Sequence, residues 1–255
     1  MKLSGRDFLI HLKQSFYEQE IILHDLNYKR EYSPNTQALI EAEWKQVTEN
    51  KEIFIFNGPV SCLDHYEVVE NKLHIYYFES DYKSYYGTNI RSSRSISDKS
   101  ELANTLAVCT VVETSDNKII VGRRGKHLAE GTSLWHVPGG TLEYYPDRVN
   151  HPFDVMRREL EEELNLTSIS SMICLGLGEN LNFKKPEFLL YTTTNLTSTE
   201  IAKKLEQASD ANEHSEIRFI PAHEISEFMD NNNFTEIGTA AVELYLDMSN
   251  TDKNR

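Results

Sequence analysis

Residues 135–166 read WHVPGGTLEYYPDRVNHPFDVMRRELEEELNL. The second half carries helical signals: Pro152 suits a first turn, Asn150 stands where a cap would, and Met156, Leu160 and Leu164 form an apolar stripe. The helix predicted over Pro152 to Leu164 places four carboxylates within five residues, Glu159, Glu161, Glu162 and Glu163. Carboxylates three and four apart on a helix repel, so the cluster is either a solvated face or a cation site. Glu159, Glu162 and Glu163 share one sector of about 100° beside the apolar stripe, whereas Arg157 and Glu161 point away. Arg158, one turn before Glu162, is placed to hold that side chain. An acidic helix alone usually means a wet surface. Here a Pro-Gly-Gly turn precedes it, which lets backbone approach a ligand closely. A hard cation such as Mg²⁺ wants carboxylate oxygens and pairs readily with phosphates.

Around this stretch the chain alternates strand and helix signals. The segment 106–124, LAVCTVVETSDNKIIVGRR, reads as strand, Asp-Asn turn, strand, and 134–145 as strand, Gly turn, strand. MICLGLGEN and EFLLYTTTNL read as strands, and STEIAKKLEQA as a helix capped by Ser198 or Thr199. SEIRFIP reads as a strand, and residues 237–248 as a closing helix. Residues 1 to about 50 carry helical signals, clearest in TQALIEAEWKQVTEN with Ser33-Pro34 as its start. EIFIFNG, HYEVVENKLHIYYFES and YKSYYGTN read as short strands, and the polar run 90–104 as a linker or the end of the first unit. Three regions result: an N-terminal α+β part, 1–103; a main domain, 104–249; and a loose tail, 250–255.

The net charge of −14, from 26 Lys and Arg against 40 Asp and Glu, argues against a broad nucleic-acid footprint or an anionic membrane as partner. Small phosphate ligands on local cations are still allowed. Cys62, Cys109 and Cys174 lack metal-ligand spacing and read as buried free thiols. No window approaches a membrane span and the start lacks a signal-peptide core, so the protein is expected in the cytoplasm. Oligomeric state is left open.

The run GGTLEYYPDRVNHPFDVMRRELEEELNL resembles the Nudix box, in which a glycine and a spacer lead to Arg-Glu-Leu-x-Glu-Glu-x-Gly-aliphatic. Arg158 to Leu166 match that second half, with Asn165 in place of the late glycine. Asn also tolerates the left-handed conformation at a helix end. The spacer from Gly140 to Arg158 holds 17 residues, four more than the family pattern. The family's first glutamate therefore aligns with either Asn150 or Glu143. The resemblance implies an α/β Nudix sandwich with a mixed sheet, from about residue 104 onward. It also implies Mg²⁺ or Mn²⁺ held by Glu159, Glu162 and Glu163 with the Gly139 carbonyl, Arg158 orienting the glutamates, and a diphosphatase acting on a nucleotide substrate.

Such chemistry needs the diphosphate charge neutralised and a water activated and aimed. The base is either a helix glutamate or a carboxylate from the loop 209–219, which offers Asp210, Glu213 and Glu216; Glu213 is the candidate. Arg123, Arg124, Lys126 and His127 follow a strand and invite a phosphate site, with Arg123 and Arg124 the candidates. His136 and His214 read as structural or solvent-facing rather than as ligands, although His136 is placed to line a pocket. In YKSYYGTNIRSS (82–93), Tyr86, Thr88 and Asn89 are candidate substrate contacts, against the plainer reading of a packed turn.

End to end, the chain resembles one animal Nudix group, the UDP-glucose diphosphatases. The similarity runs through NYKREYSPNTQALIEAEW, YKSYYGTNIRSS, HVPGG, the box, CLGLGENLNFKKPEFLLYTTTNLTSTEI and HSEIRFI. It implies hydrolysis of a UDP-sugar to UMP and a sugar 1-phosphate. Competing readings are a Nudix hydrolase of another linked nucleotide such as ADP-ribose, a non-catalytic nucleotide-sugar-binding module, and a structural protein with a solvated acidic helix.

Overall fold

The computed structural model describes residues 7–210 and 213–253. In chain order the strands and helices are β1 (Phe8–Phe16), β2 (Ile21–Lys29), α1 (Pro34–Glu49), β3 (Pro59–Val69), β4 (Lys72–Asp81) and α2 (Tyr82–Tyr85), which runs on as a wide helical turn through Arg91. Then come β5 (Ala107–Glu113), β6 (Lys118–Arg124), β7 (Trp135–His136), β8 (Gly139–Thr141) and α3 (Pro152–Leu164). The chain closes with β9 (Ser171–Asn180), β10 (Lys185–Thr193), α4 (Ser198–Lys204), β11 (His214–Pro221), α5 (Ile225–Asn231) and α6 (Glu236–Lys253).

Among the described residues the main sheet has the order β1-β9-β10-β5-β6-β11, with β7 added to β6 and β8 to β5. β10 and β5 run parallel, from Glu187 beside Ala107 to Thr193 beside Glu113, and the other pairs are antiparallel, so the sheet is mixed as expected. Strand alternation sends successive side chains to opposite faces. Val108, Val112 and Ile120 join one buried cluster with Met156, Leu160 and Leu164 of α3. Cys109, Val111, Ile119 and Val121 join the other, with Ala241, Leu244 and Tyr245 of α6. The sheet is thus closed on both faces by helices, the arrangement a mixed sheet with two apolar faces requires. All three cysteines are buried and free.

The N-terminal part is built into this body. β1 is the edge strand of the main sheet, pairing with β9 from Phe8 beside Asn180 to Phe16 beside Cys174. A second sheet, β2-β4-β3, puts Ile21, Leu73, Ile75 and Tyr77 into the same cluster as Phe153 and Leu160 of α3. Packing is continuous across residue 103.

Several local expectations are corrected. Residues 8–29 form two strands, not helices: FLIHLKQSF buries Phe8 and Phe16 at its ends, and β9 supplies a partner. EIFIFNG is not a strand, because neither sheet pairs with it. YKSYYGTN is helical, not extended. Asp81 caps it by accepting from Ser84 N–H at 2.8 Å, and the Thr88 hydroxyl donates to Ser84 O at 2.8 Å. The cap of α3 is His151, not Asn150, and that of α4 is Thr197, one residue before the expected pair. Helix α6 runs through Lys253 and so takes in the first residues of the expected tail 250–255; residues 254 and 255 lie outside the described residues.

Candidate active site

Helix α3 delivers the acidic side chains, and both its ends are fixed. At the start His151 Nδ1 accepts from Phe153 N–H at 3.4 Å, while its Nε2–H reaches Ile21 O at 3.2 Å. At the end Asn165 takes φ 50°, ψ 38°, and the N–H of Leu166 returns to Leu160 O at 3.0 Å. Asn therefore does the work of the missing glycine.

Arg158 organises the carboxylates. Its Nη1 donates to Glu143 Oε2 at 2.6 Å and its Nη2 to Glu159 Oε1 at 3.0 Å; Nε lies 3.8 Å from Glu162 Oε2 and has no hydrogen-bond partner. Of the two residues left open for the first glutamate, Glu143 is the one Arg158 grips. Asn150 supports it from behind, its Nδ2 donating to Glu143 O at 3.0 Å.

The three helix glutamates diverge more than their spacing implies. Glu159 presses on Gly140, where a Cβ would lie 2.3 Å from Glu159 Oε1, so any side chain there would push the carboxylate from its place. Burial, then the charge of Glu163, push the Glu159 carboxyl from an ordinary 4.5 up to about 8, against the pull of Arg158. Glu163 is 1% exposed, 2.9 Å from His214 Nε2, and receives the N–H of Gly139. Burial, then Glu213, raise its carboxyl well above the usual range, and burial lowers the His214 imidazole, so both favour the uncharged form. His214 fits there because Gly122 has no Cβ, which would sit 2.4 Å from its Nδ1. Glu162 is turned toward Arg158 and is 43% exposed along its side chain. Glu161 is solvated as expected.

A cleft of about 490 Å³ opens over this helix face. Gly139, Gly140, Glu143, Arg158 and Glu159 line it, with Arg124, Asp210 and Glu213 from neighbouring elements. Arg124 Nη1 stands 3.6 Å from Glu213 Oε1, and its Nε donates to Glu130 O at 3.0 Å. Glu216 instead pairs with Arg218 outside the cleft.

Sequence reasoning missed a second group in the same cleft: Glu130, Lys185, Glu187 and Tyr82. Lys185 Nζ lies 3.3 Å from Glu130 Oε2, which also accepts from the Tyr85 hydroxyl at 2.9 Å; Tyr82 OH reaches Oε1 at 3.3 Å. Burial raises the Glu130 carboxyl, but Lys185 and Arg124 outweigh it and hold it below the usual range. Burial leaves Glu187 raised. Nothing in the local sequence marks these residues, since the parallel pairing of β10 with β5 is what brings Lys185 and Glu187 to the cleft.

Other expected contacts lie elsewhere. Arg123 is exposed, its Nε donating to Ser133 O at 3.2 Å, and does not line the cleft. Tyr86 is buried edge-on against Trp44. Thr88 and Asn89 are fully buried. Asn89 Nδ2 donates to Phe183 O at 2.8 Å and to Lys184 O at 3.2 Å, and its Oδ1 accepts from Ala103 N–H at 3.0 Å. These three residues fasten the helical turn to the body, because a buried amide must satisfy its donors and acceptor internally. His136 does line the cleft, held by Thr235 Oγ1 at 2.6 Å, and burial drives its imidazole well down.

Over residues 103–237, just over half its length, the chain matches the NUDIX domain. No curated protein matches it. Among solved structures it is similar to DR0079 from Deinococcus radiodurans (14% identity, 55% of this chain and 83% of that one, TM-score 0.40). It is also similar to the MutT protein from Methanosarcina mazei Go1 (15% identity, 56% and 94%, TM-score 0.37). A third is the NUDIX domain of Shewanella oneidensis NrtR in complex with ADP ribose (15% identity, 60% and 94%, TM-score 0.42). Overlays this distant carry no argument about substrate.

Proposed function

The chain belongs to the Nudix family, and from that premise we propose that it hydrolyses the diphosphate of a UDP-sugar, UDP-glucose or a close relative, to UMP and the sugar 1-phosphate. The observation that carries the reading is one cleft joining Glu159 of α3, a largely buried carboxylate repelled by Glu163, to Arg124 and Lys185. The end-to-end resemblance to the UDP-glucose diphosphatases supports the uridine and the sugar.

The donor set suits a hard divalent cation. Glu159 and Glu163 are oxygen donors held uncharged by burial and repulsion, and a cation relieves both. Among the described residues no three His, Cys, Asp or Glu side chains already converge as a cage, and Glu162 is turned toward Arg158, 3.8 Å from its Nε. The residues to hold Mg²⁺ or Mn²⁺ are Glu159, Glu163 and Glu162, with the Gly139 carbonyl. When bound, such an ion neutralises diphosphate charge and lowers the pKa of a coordinated water.

The chain's own groups do the rest. Arg158 fixes Glu159 against Glu143, which sets the carboxylate geometry. Arg124 and Lys185 supply positive charge for the phosphates. Glu213, inside the cleft beside Arg124, takes the proton from the attacking water. Water oxygen bonds to phosphorus as the bridging P–O bond breaks, and the sugar 1-phosphate leaves.

The test is phosphorus NMR of products from UDP-glucose, UDP-galactose, ADP-glucose and ADP-ribose with Mg²⁺. UMP released from the UDP-sugars alone supports the reading. Cleavage of ADP-ribose in preference overturns the substrate, and no cleavage of any overturns the activity.

A further inference from the structure

The two most exposed large apolar side chains among the described residues are Phe54, at 76%, and Phe56, at 68%. Both line the cleft that holds Gly139, Arg158 and Glu159. Their ring centroids lie 6.4 Å apart with the planes at 58°. Their segment joins neither sheet, yet its backbone is anchored on both sides. Phe54 N–H donates to His127 O at 3.1 Å, Gly58 O accepts from Tyr82 N–H at 2.9 Å, and Asn57 Oδ1 accepts from Lys83 N–H at 2.9 Å. A tethered loop that keeps two phenyl rings in water gains nothing from them in the folded chain, since side chains of this size stabilise by burial.

We infer that Phe54 and Phe56 are the stacking platform for the nucleobase of the substrate, so that the region before residue 103 supplies the base-binding half of the site. The inference rests on the proposed nucleoside diphosphate substrate. Of that substrate's parts, the base offers the broad flat π face that best covers phenyl rings, while the diphosphate calls for the cleft's charged groups Arg124, Arg158 and Lys185. Phenyl rings read the face of a base and not its edge, so the platform grips any base and leaves the choice of uracil to other groups.

The experiment uses the full chain with Mg²⁺. Phe56→Trp keeps a ring in place and adds an emission that a stacked base quenches. UMP and AMP are expected to quench it, and ribose 5-phosphate, which has no base, is not. By calorimetry, the Phe54→Ala/Phe56→Ala variant is expected to bind UMP about 10- to 100-fold more weakly, the range for losing one aromatic–base stack. Its binding of inorganic pyrophosphate and its melting temperature should be unchanged. UMP affinity equal to that of the natural protein overturns the inference, as does quenching by ribose 5-phosphate equal to that by UMP. A change of oligomeric state in the double variant with UMP affinity intact also overturns it and makes the rings a self-association site. Failure to hydrolyse UDP-glucose, with UMP still quenching Phe56→Trp, overturns the catalytic reading and leaves the platform standing.

Discussion

Without a divalent ion, Glu159→Gln should make the protein more stable. The Glu159 side chain is only 15% exposed and accepts from Arg158 Nη2 at 3.0 Å, an interaction the glutamine oxygen preserves. The substitution therefore removes charge and little else. Burial and the neighbouring Glu163 lift the carboxyl from 4.5 to about 8. A raised carboxyl contributes fully below the unfolded value of 4.5 and loses that contribution as pH climbs toward about 8. Within that window the natural protein falls behind the variant by about 1.4 kcal/mol per pH unit, or about 3 kcal/mol at pH 7. The assay is urea unfolding of both proteins in EDTA at pH 5 and pH 7. The expected result is near equality at the lower pH and a higher midpoint for the variant at the upper one. Excess Mg²⁺ should reverse the order, because an ion that binds only the folded natural protein stabilises it alone. A variant that is less stable in EDTA at pH 7, or a difference that ignores pH, would refute the reasoning.

Gly140→Ala would set a methyl group 2.3 Å from Glu159 Oε1, so turnover should collapse while circular dichroism stays native; turnover near the natural rate would mean Glu159 has room to shift harmlessly. Asn89→Ala strips the hydrogen bonds to Phe183, Lys184 and Ala103, and should lower stability by about 2–4 kcal/mol in denaturant melts while leaving KM unchanged; a raised KM with native stability would return Asn89 to the substrate site. Glu130→Gln leaves Lys185, whose side chain is 14% exposed, without its carboxylate and should cost about 3 kcal/mol. The depressed Glu130 carboxyl stabilises above 4.5 and loses that effect as pH falls below it, so acid titration of the variant should be flatter there; parallel titrations would contradict the assignment.

The box helix was legible because its three signals agree: apolar spacing, a proline start and a carboxylate cluster that needs a cation. The sandwich was implied by the resemblance to the Nudix box, and the strand runs agree with it, since successive residues such as Val108 and Cys109 face different cores. The N-terminal half was harder to read because its elements depend on distant partners. FLIHLKQSF becomes a strand only because β9 offers an edge, and EIFIFNG, with equal β character, finds none. YKSYYGTN has strand composition but obeys an Asp cap and packing against α1. The same dependence hid Lys185 and Glu130, ordinary residues until the fold carried the start of β10 beside the loop that follows β6. The helix glutamates were readable as a set but not in their individual roles. The space left by Gly140 and the hydrogen bond from Arg158 place Glu159, the Arg158 charge draws Glu162, and His214 holds Glu163.

The most direct measurement is the release of UMP from UDP-glucose with Mg²⁺ by four proteins: the natural chain, Glu159→Gln, Glu163→Gln and, as control, the solvated neighbour Glu161→Gln. UMP and glucose 1-phosphate are expected from the natural chain and the control, and background rates from the other two. UMP production that survives Glu159→Gln and Glu163→Gln together would contradict it, placing the catalytic carboxylates somewhere other than helix α3.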